Sequence, residues 1–281
     1  MPKDPMKKIS VSQITRFHEK IWDHYRLHGR VMPWRGEHDP YKVLVSEVML
    51  QQTQVTRVIQ KYIEFIKKFP SFKKLSQAPL SDVLSLWSGL GYNRRAKFLR
   101  SISQVVVKDY KGKLPTGEQE LLSLPGIGKG TVGSLQAFAF NIPSVFIETN
   151  IRRVFIHFFF HEKHNVPDSD ILNLVAQSVD RDNPREWYYA LMDYGAYLKI
   201  LEVNPNIQSK HYVKQSVFKG SNREVRGAIL KYVSKKKKET TKKLMKELGF
   251  EKNRFNTALG GLIQEGVLIV KKDIISIHDG V

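Results

Sequence analysis

The sequence predicts an all-α fold over roughly the first two hundred residues, followed by a small C-terminal winged-helix-like α+β domain. Up to residue 199, apolar residues recur mostly at three- and four-residue spacing, the period of a helix with one buried face. Alternating β-branched runs are almost absent before residue 266, and two short strands are predicted at 267–270 and 274–277. Three helical segments precede these strands, and this order is typical of a winged helix.

The individual helices follow from the same periodicity. A long apolar stretch at 43–69 is predicted to form one or two buried helices, and Ser81 with Asp82 is the predicted cap of a helix over 75–90. The other predicted helices lie at 10–28, 94–110, 117–124, 132–140, 151–160, 171–179, 186–199, 224–233, 242–248 and 254–264. We therefore expect a helical domain at 1–200, a linker at 201–221 and a basic domain at 222–281.

The charge balance points to a polyanionic partner. The 281 residues include 46 Lys and Arg against 27 Asp and Glu, a net charge of +19. Such an excess favours nucleic acid or an anionic membrane surface. No apolar run reaches the roughly 18 residues of a membrane span, and the N-terminus has no apolar signal region. We therefore expect a monomeric, cytoplasmic, nucleoid-associated protein that binds double-stranded DNA.

Residues 121–133 predict a glycine-rich hairpin between two helices. Pro125 ends the first helix, and Gly126 and Gly128 can adopt a positive φ and admit another backbone closely. The N–H groups that open the next helix, near Thr131, suit a DNA phosphate. Taken alone, the hairpin is about equally consistent with a phosphate-binding site and with a purely structural helix–turn–helix. Glu148 and Asn150 follow beside two arginines, and the combination is the layout of a DNA base-excision enzyme.

Four motifs carry a family resemblance. They are Pro33-Trp-Arg35, the run from Asp39 to Val55, Leu86-Trp-Ser-Gly-Leu-Gly-Tyr92 and Leu124-Pro-Gly-Ile-Gly128. Together they closely resemble the MutY-type A/G-specific adenine DNA glycosylases, in the helix-hairpin-helix superfamily that includes endonuclease III. The resemblance implies two helical subdomains around a cleft that receives a flipped-out nucleotide. It also implies a mismatched or damaged duplex as substrate, with adenine opposite guanine or 8-oxoguanine as the leading target.

Two carboxylates are the predicted catalytic residues. Glu47 lies within an apolar helix, where burial raises the pKa of a carboxyl and suits it to general acid work. The resemblance assigns it protonation of the adenine ring, and the alternative is a structural carboxylate in the core. Glu148 stands where the superfamily carries an Asp that stabilises the cationic sugar. Its extra methylene is a departure that can misplace the carboxylate.

The resemblance also implies a set of DNA-contact residues. Gly130 departs from the family, which has a Schiff-base Lys in strand-cleaving relatives and a Ser or Tyr in adenine glycosylases at this position. Without an amine there, a monofunctional glycosylase is expected, although Lys129 lies one position away. Tyr92 lies on a predicted turn, and a core role for its ring is the alternative. The full set is Gln51, Gln52, Tyr92, Gly126, Gly128, Lys129, Gly130, Thr131, Asn150 and Arg153.

The absence of cysteine excludes disulfides and cysteine-bound clusters. Where the family usually has four cysteines for a [4Fe–4S] cluster, this chain has residues such as Asn206 and Ser209, so we expect no cofactor and a loop held by packing alone. Three nearby histidines, His157, His161 and His164, show no pattern of metal ligands. The C-terminal region does not resemble the MutT-like domain with which the family recognises 8-oxoguanine.

From residue 211 onward the chain has 16 Lys and Arg against 7 Asp and Glu. The basic run 235–238 is interpreted as a phosphate contact or as a solvated loop. Two further functions remain open for the whole chain. One is removal of thymine or uracil from mispairs with guanine, and the other is DNA binding without catalysis.

Overall fold

The computed structural model describes residues 8–201, 204–214 and 217–279. The chain forms two compact units, the first from Met1–Val43 and Ile127–Lys214 and the second from Leu44–Gly126 and Gln215–Val281. Over the described ranges we find no helix with the length and apolarity that a membrane crossing requires.

The described residues are mostly helical, with one small sheet. The elements are α1 (Val11–His28), α2 (Pro40–Leu50), α3 (Val55–Lys68), α4 (Phe72–Ser76), α5 (Leu80–Trp87), α6 (Arg94–Asp109), α7 (Glu118–Ser123), α8 (Lys129–Phe140), α9 (Thr149–Phe159), α10 (Asp168–Ser178), α11 (Pro184–Ile200), a 3-10 helix (Pro205–Gln208), α12 (Asn222–Lys236), β1 (Lys238–Thr240), α13 (Thr241–Leu248), α14 (Lys252–Gln264), β2 (Leu268–Lys271) and β3 (Ile274–Ile277).

The first unit has an aromatic core where α11 packs against α1 and α9. The Phe17 ring lies edge-on to Phe155 and Trp187, with centroids 5.3 and 5.6 Å apart. Ser10 starts α1 with a capping box, so the end of this helix is fixed locally. The predicted helix over 10–28 is therefore confirmed.

The second unit joins the helices of 44–126 to a C-terminal module. In the module the order is α12, β1, α13, α14, β2 and β3, and the antiparallel sheet has the strand order β1-β3-β2. The module packs through α12 against α5. Lys97 Nζ also donates to Glu265 O (2.6 Å), and Ser81 N–H donates to Asp279 Oδ1 (2.7 Å). The C-terminal helices and sheet thus share one compact unit with α5 and α6.

Three details of the sequence expectations need correction. The predicted helix over 75–90 is two helices, α4 and α5, because Pro79 interrupts the backbone pattern and stands at the start of α5. Ser81 and Asp82 consequently lie in the first turn of α5 and do not cap it. Strand β1 was missed since its sequence, Lys-Glu-Thr, has no apolar alternation, and pairing with β3 defines it. The domain boundaries at 200 and 222 stay predictions.

Candidate active site

Glu47 lies on α2, which runs through the predicted apolar stretch. Its neighbours Ser46 and Val48 are buried, whereas the Glu47 side chain is half-buried. The Asp39 carboxylate accepts the Tyr41 N–H (2.9 Å) and Pro40 is the first helical residue, so the start of α2 is fixed. A partly exposed carboxylate on a buried helix can exchange a proton with a ligand while its backbone stays rigid.

The end of α2 is held by a buried arginine that the sequence analysis missed. The Arg95 guanidinium donates to three carbonyl oxygens, those of Val48 (2.7 Å), Met49 (2.9 Å) and Gln51 (2.6 Å). These carbonyls lie at and just beyond the C-terminal end of α2, where backbone acceptors lack intrahelical partners. The sequence contains one signal of this contact. Because α2 has no basic residue in its last turn, its terminal carbonyls need a donor from another element.

The same guanidinium reaches the turn that precedes α6. It donates to the carbonyls of Leu90 (3.3 Å) and Gly91 (3.1 Å) and to Thr53 Oγ1 (2.9 Å). Trp87 Nε1 donates to Gly91 O (3.1 Å), which fastens that turn a second time. Burial lowers the pKa of Arg95 to about 10, so the cation is retained at neutral pH. One side chain therefore ties two turns together.

These two turns carry Gln51, Gln52 and Tyr92. We call them the predicted wedge residues, because the family resemblance implies that they fill or wedge the base stack once the target nucleotide is flipped out. Gln52 and Tyr92 both adopt a left-handed backbone, with φ of 52° and 48°. Side chains other than glycine rarely adopt this conformation, and such strain persists where the surroundings impose it. Gln51, Gln52 and Tyr92 line one groove of the second unit. The structure therefore brings these three together, and their contact with DNA stays a prediction.

Glu148 occupies the N-cap of α9 in the first unit. Its Oε1 accepts the N–H groups of Asn150 (2.7 Å) and Ile151 (3.0 Å). Burial raises the pKa of Glu148 above its ordinary value, and the two backbone bonds and the Arg153 charge oppose that shift. The cap explains why a carboxylate stands here, and the sequence analysis did not identify this structural role.

Asn150 and Arg153 form a network behind Glu148. Arg153 is buried, and its Nη1 donates to Asn150 Oδ1 (2.8 Å) and Gly195 O (2.6 Å). A Cβ at Gly195 would lie 2.5 Å from Asn150 O, so this glycine permits the close approach of α11 to α9. The network supports positioning of the Glu148 segment, and direct DNA contact by these two side chains stays a prediction.

The predicted hairpin forms between α7 and α8. Gly126 has a φ of +76°, and a Cβ there would lie 2.3 Å from the Phe98 ring, so only glycine fits. Gly128, in contrast, is extended (φ −107°), and a Cβ there would meet nothing within 4 Å. Open space at the uncapped start of α8 suits an approaching anion.

The start of α8 is accessible. Gly128, Lys129 and Gly130 are exposed, and Thr131 is half-buried. A Cβ at Gly130 would have Ile147 O at 3.9 Å, which is ordinary contact. The position therefore has room for a Cβ atom.

The segment where the family has cluster ligands is held by hydrogen bonds as well as by packing, which corrects the sequence expectation. The Asn206 side chain donates to Thr149 O (3.0 Å). Val166 N–H donates to Gln208 O, and Lys210 N–H donates to Val166 O, both at 2.9 Å. Among the residues that the structure describes, no group of three or more His, Asp or Glu side chains is placed to hold a metal.

Comparison with known proteins assigns the family. Residues 45–174 match the HhH-GPD superfamily of base excision DNA repair proteins. A thymine/uracil-DNA glycosylase from Methanothermobacter thermautotrophicus is 30% identical over 195 residues, which are 68% of this chain and 85% of that protein. The chain belongs to the HhH-GPD superfamily.

Other relatives carry a different name. An adenine DNA glycosylase from Buchnera aphidicola subsp. Baizongia pistaciae is 38% identical over 194 residues, covering 67% of this chain and 54% of that protein. The chain spans about half the length of the Buchnera adenine DNA glycosylases that it matches. A solved thermostable thymine-DNA glycosylase is 26% identical, with a TM-score of 0.59, covering 66% of this chain and 87% of that one. The helix-hairpin-helix fold expected from the sequence is confirmed.

Proposed function

We propose that this protein is a monofunctional DNA glycosylase that removes adenine mispaired with guanine or 8-oxoguanine. The observation that carries the proposal is the placement of Glu47, a half-buried carboxylate on a helix whose end Arg95 ties to the Tyr92 turn. The net charge of +19 supports DNA as the partner. Action as a monomer at the nucleoid belongs to the same proposal.

The proposed chemistry uses the two carboxylates in turn. Glu47 gives its proton to the adenine ring, and the N-glycosidic bond then breaks with its electron pair leaving on the base. Ionised Glu148 stabilises the cationic sugar, as carboxylates do in glycoside hydrolysis. A water molecule adds hydroxide to the sugar carbon, and its remaining proton returns to the Glu47 carboxylate. The products are free adenine and an abasic site.

The hairpin and the missing amine define the rest of the proposal. The uncapped N-terminus of α8, with Lys129 exposed beside it, would hold a backbone phosphate. Gly130 provides neither amine nor hydroxyl, so the strand stays intact after base removal. The names of the adenine DNA glycosylases at 32–38% identity support adenine as the target.

A second candidate function is removal of thymine or uracil opposite guanine. The relative named thymine/uracil-DNA glycosylase supports it, because the match covers 85% of that protein's length. The two functions share the scaffold and differ in the base that the site accepts.

Single-turnover reactions on four labelled duplexes separate these functions. The duplexes contain A:G, A:8-oxoguanine, T:G or U:G, and each product is resolved with and without alkali. The proposal predicts cleavage at adenine that depends on alkali. Cleavage at thymine or uracil alone would establish the second candidate, and alkali-independent cleavage would refute the monofunctional assignment. Binding to all four duplexes without cleavage of any would refute glycosylase activity on these mispairs.

A further inference from the structure

A groove of about 830 Å³ lies within the second unit, and α12 contributes to its lining together with the turns that carry Gln51 and Tyr92. We call it the α12 groove. Its lining includes six cationic side chains: Arg57, Arg94, Arg95, Arg223, Arg226 and Lys231. Glu265 is the acidic residue in the described lining, and it is paired with Arg226 at 2.6 Å. The groove therefore has a strong excess of positive charge.

Aromatic rings accompany these cations. Phe218 lines the groove with 59% of its surface exposed, which is unusual for a large apolar side chain. The Arg94 guanidinium stacks over the Phe98 ring, 4.7 Å from its centroid. Cations that follow a backbone and exposed rings that stack on bases are the two components of grooves for unpaired nucleic acid.

The C-terminal module contacts a predicted wedge residue directly. Arg223 Nη1 donates to the Tyr92 hydroxyl (3.4 Å), and both side chains line the α12 groove. If Tyr92, Gln51 and Gln52 fill the space of a flipped-out nucleotide, the base that they face is the one left without a partner. The groove then opens toward the strand opposite the target.

We propose that the α12 groove binds the strand opposite the target nucleotide, with Phe218 stacking on the unpaired base and Arg57 and Lys231 contacting its phosphates. The proposal rests on the proposed function for its ligand, a DNA duplex with one base flipped out. In this proposal the C-terminal module and the helices of 44–126 both contact the unpaired base. Lys231 and Arg57 are both exposed, so either can reach a phosphate.

The first test measures affinity without requiring catalysis. The probe is a fluorescein-labelled duplex with a tetrahydrofuran abasic analogue, and binding is followed by anisotropy. Lys231→Glu is compared with Lys108→Glu, which makes the same charge change at an exposed position of α6 outside the groove. The proposal predicts affinity about tenfold or more weaker for Lys231→Glu and changed less than about twofold for Lys108→Glu. Equal losses in the two variants would overturn it.

The basic run 235–238, which begins in the last turn of α12, is tested in the same assay. Lys236 is exposed near the end of α12 and does not line the groove. Lys236→Glu should stay close to the wild type. A loss confined to Lys236→Glu would assign the phosphate contact to the basic run and overturn the groove. Thermal unfolding by circular dichroism checks that each variant is folded.

The second test follows the unpaired base itself. 2-Aminopurine is placed opposite the tetrahydrofuran analogue, and its fluorescence should be quenched when the wild type stacks on it. Phe218→Leu should relieve the quenching and weaken binding by about five- to a hundredfold, the range for one lost base–aromatic stack. Unchanged quenching in Phe218→Leu would overturn the proposal. Since this duplex has no target base to remove, failure here leaves the cleavage results of the four-duplex assay standing.

Discussion

Replacement of Arg95 by Met should loosen both turns that carry the predicted wedge residues. Arg95 is 8% exposed and donates to six backbone carbonyls and one hydroxyl. The four bonds at 2.6–2.9 Å contribute about 1.5 kcal/mol each at the lower value for a charged donor. The fall of its pKa to about 10 through burial corresponds to a desolvation cost of about 3 kcal/mol. The difference is a net stabilisation of about 3 kcal/mol.

Urea unfolding followed by far-ultraviolet circular dichroism measures this difference. The matched control is Arg94→Met, because Arg94 is the exposed neighbour and its guanidinium stacks over the Phe98 ring. That stack is worth less than about 1 kcal/mol at an exposed site. Arg95→Lys should retain part of the stability, since three donors replace five. An Arg95→Met protein whose unfolding free energy lies within about 0.5 kcal/mol of the wild type, the usual range for a surface change, would show that Arg95 does not stabilise the two turns.

Three further outcomes follow from the first unit. Gly133→Ala should destabilise the protein by about 1–3 kcal/mol through overpacking, because its Cβ would lie 2.5 Å from Phe146 Cβ. Gly130→Ala on the same helix should be close to neutral. Equal urea midpoints for the two variants would show that the contact between residue 133 and Phe146 is not tight. Asn206→Ala should cost about 0.5–1.5 kcal/mol by removing the side-chain hydrogen bond to Thr149 O, and proteolysis within 204–214 should accelerate. Unchanged proteolysis would show that the bond is dispensable. Because burial raises the pKa of Glu148, its ionised form is penalised in the folded state, so its contribution to stability is present below the unfolded pKa and is lost as pH rises through the folded pKa. Relative to the wild type, Glu148→Gln should therefore gain stability from acid to neutral pH, and a pH-independent difference in unfolding free energy would refute the shift.

The helices could be predicted well because their signals are local. The capping box of Ser10 and the apolar spacing of α1 lie within one segment, and the structure confirms that helix. Strand β1 could not be predicted, because three polar residues become a strand only through pairing with β3. The split between α4 and α5 has a local signal in Pro79, because proline disfavours the helical conformation in the residue before it.

The residues of the candidate site also fall into those with a local sequence signal and those defined by tertiary contacts. Motif resemblance supplied Glu47, Tyr92 and the hairpin, since these residues occur in recognisable runs. The role of Arg95 has no local pattern, because the α2 carbonyls that it binds lie more than forty positions away in sequence. The pairing of Arg223 with Tyr92 spans 131 positions and also depends on tertiary packing. Contacts of this kind have no local pattern, so the sequence alone could not reveal the α12 groove.

The Glu47→Gln variant shows whether Glu47 is the catalytic acid. The substitution preserves the size of the side chain and removes its acid, so duplex binding should be retained while the proton for the departing base is lost. On the duplex that the wild type cleaves, the variant should have a Kd within about twofold of the wild type and a single-turnover rate lower by a factor of about 100 or more, the scale of general acid catalysis. A variant that cleaves at the wild-type rate would contradict the assignment of Glu47 as the catalytic acid.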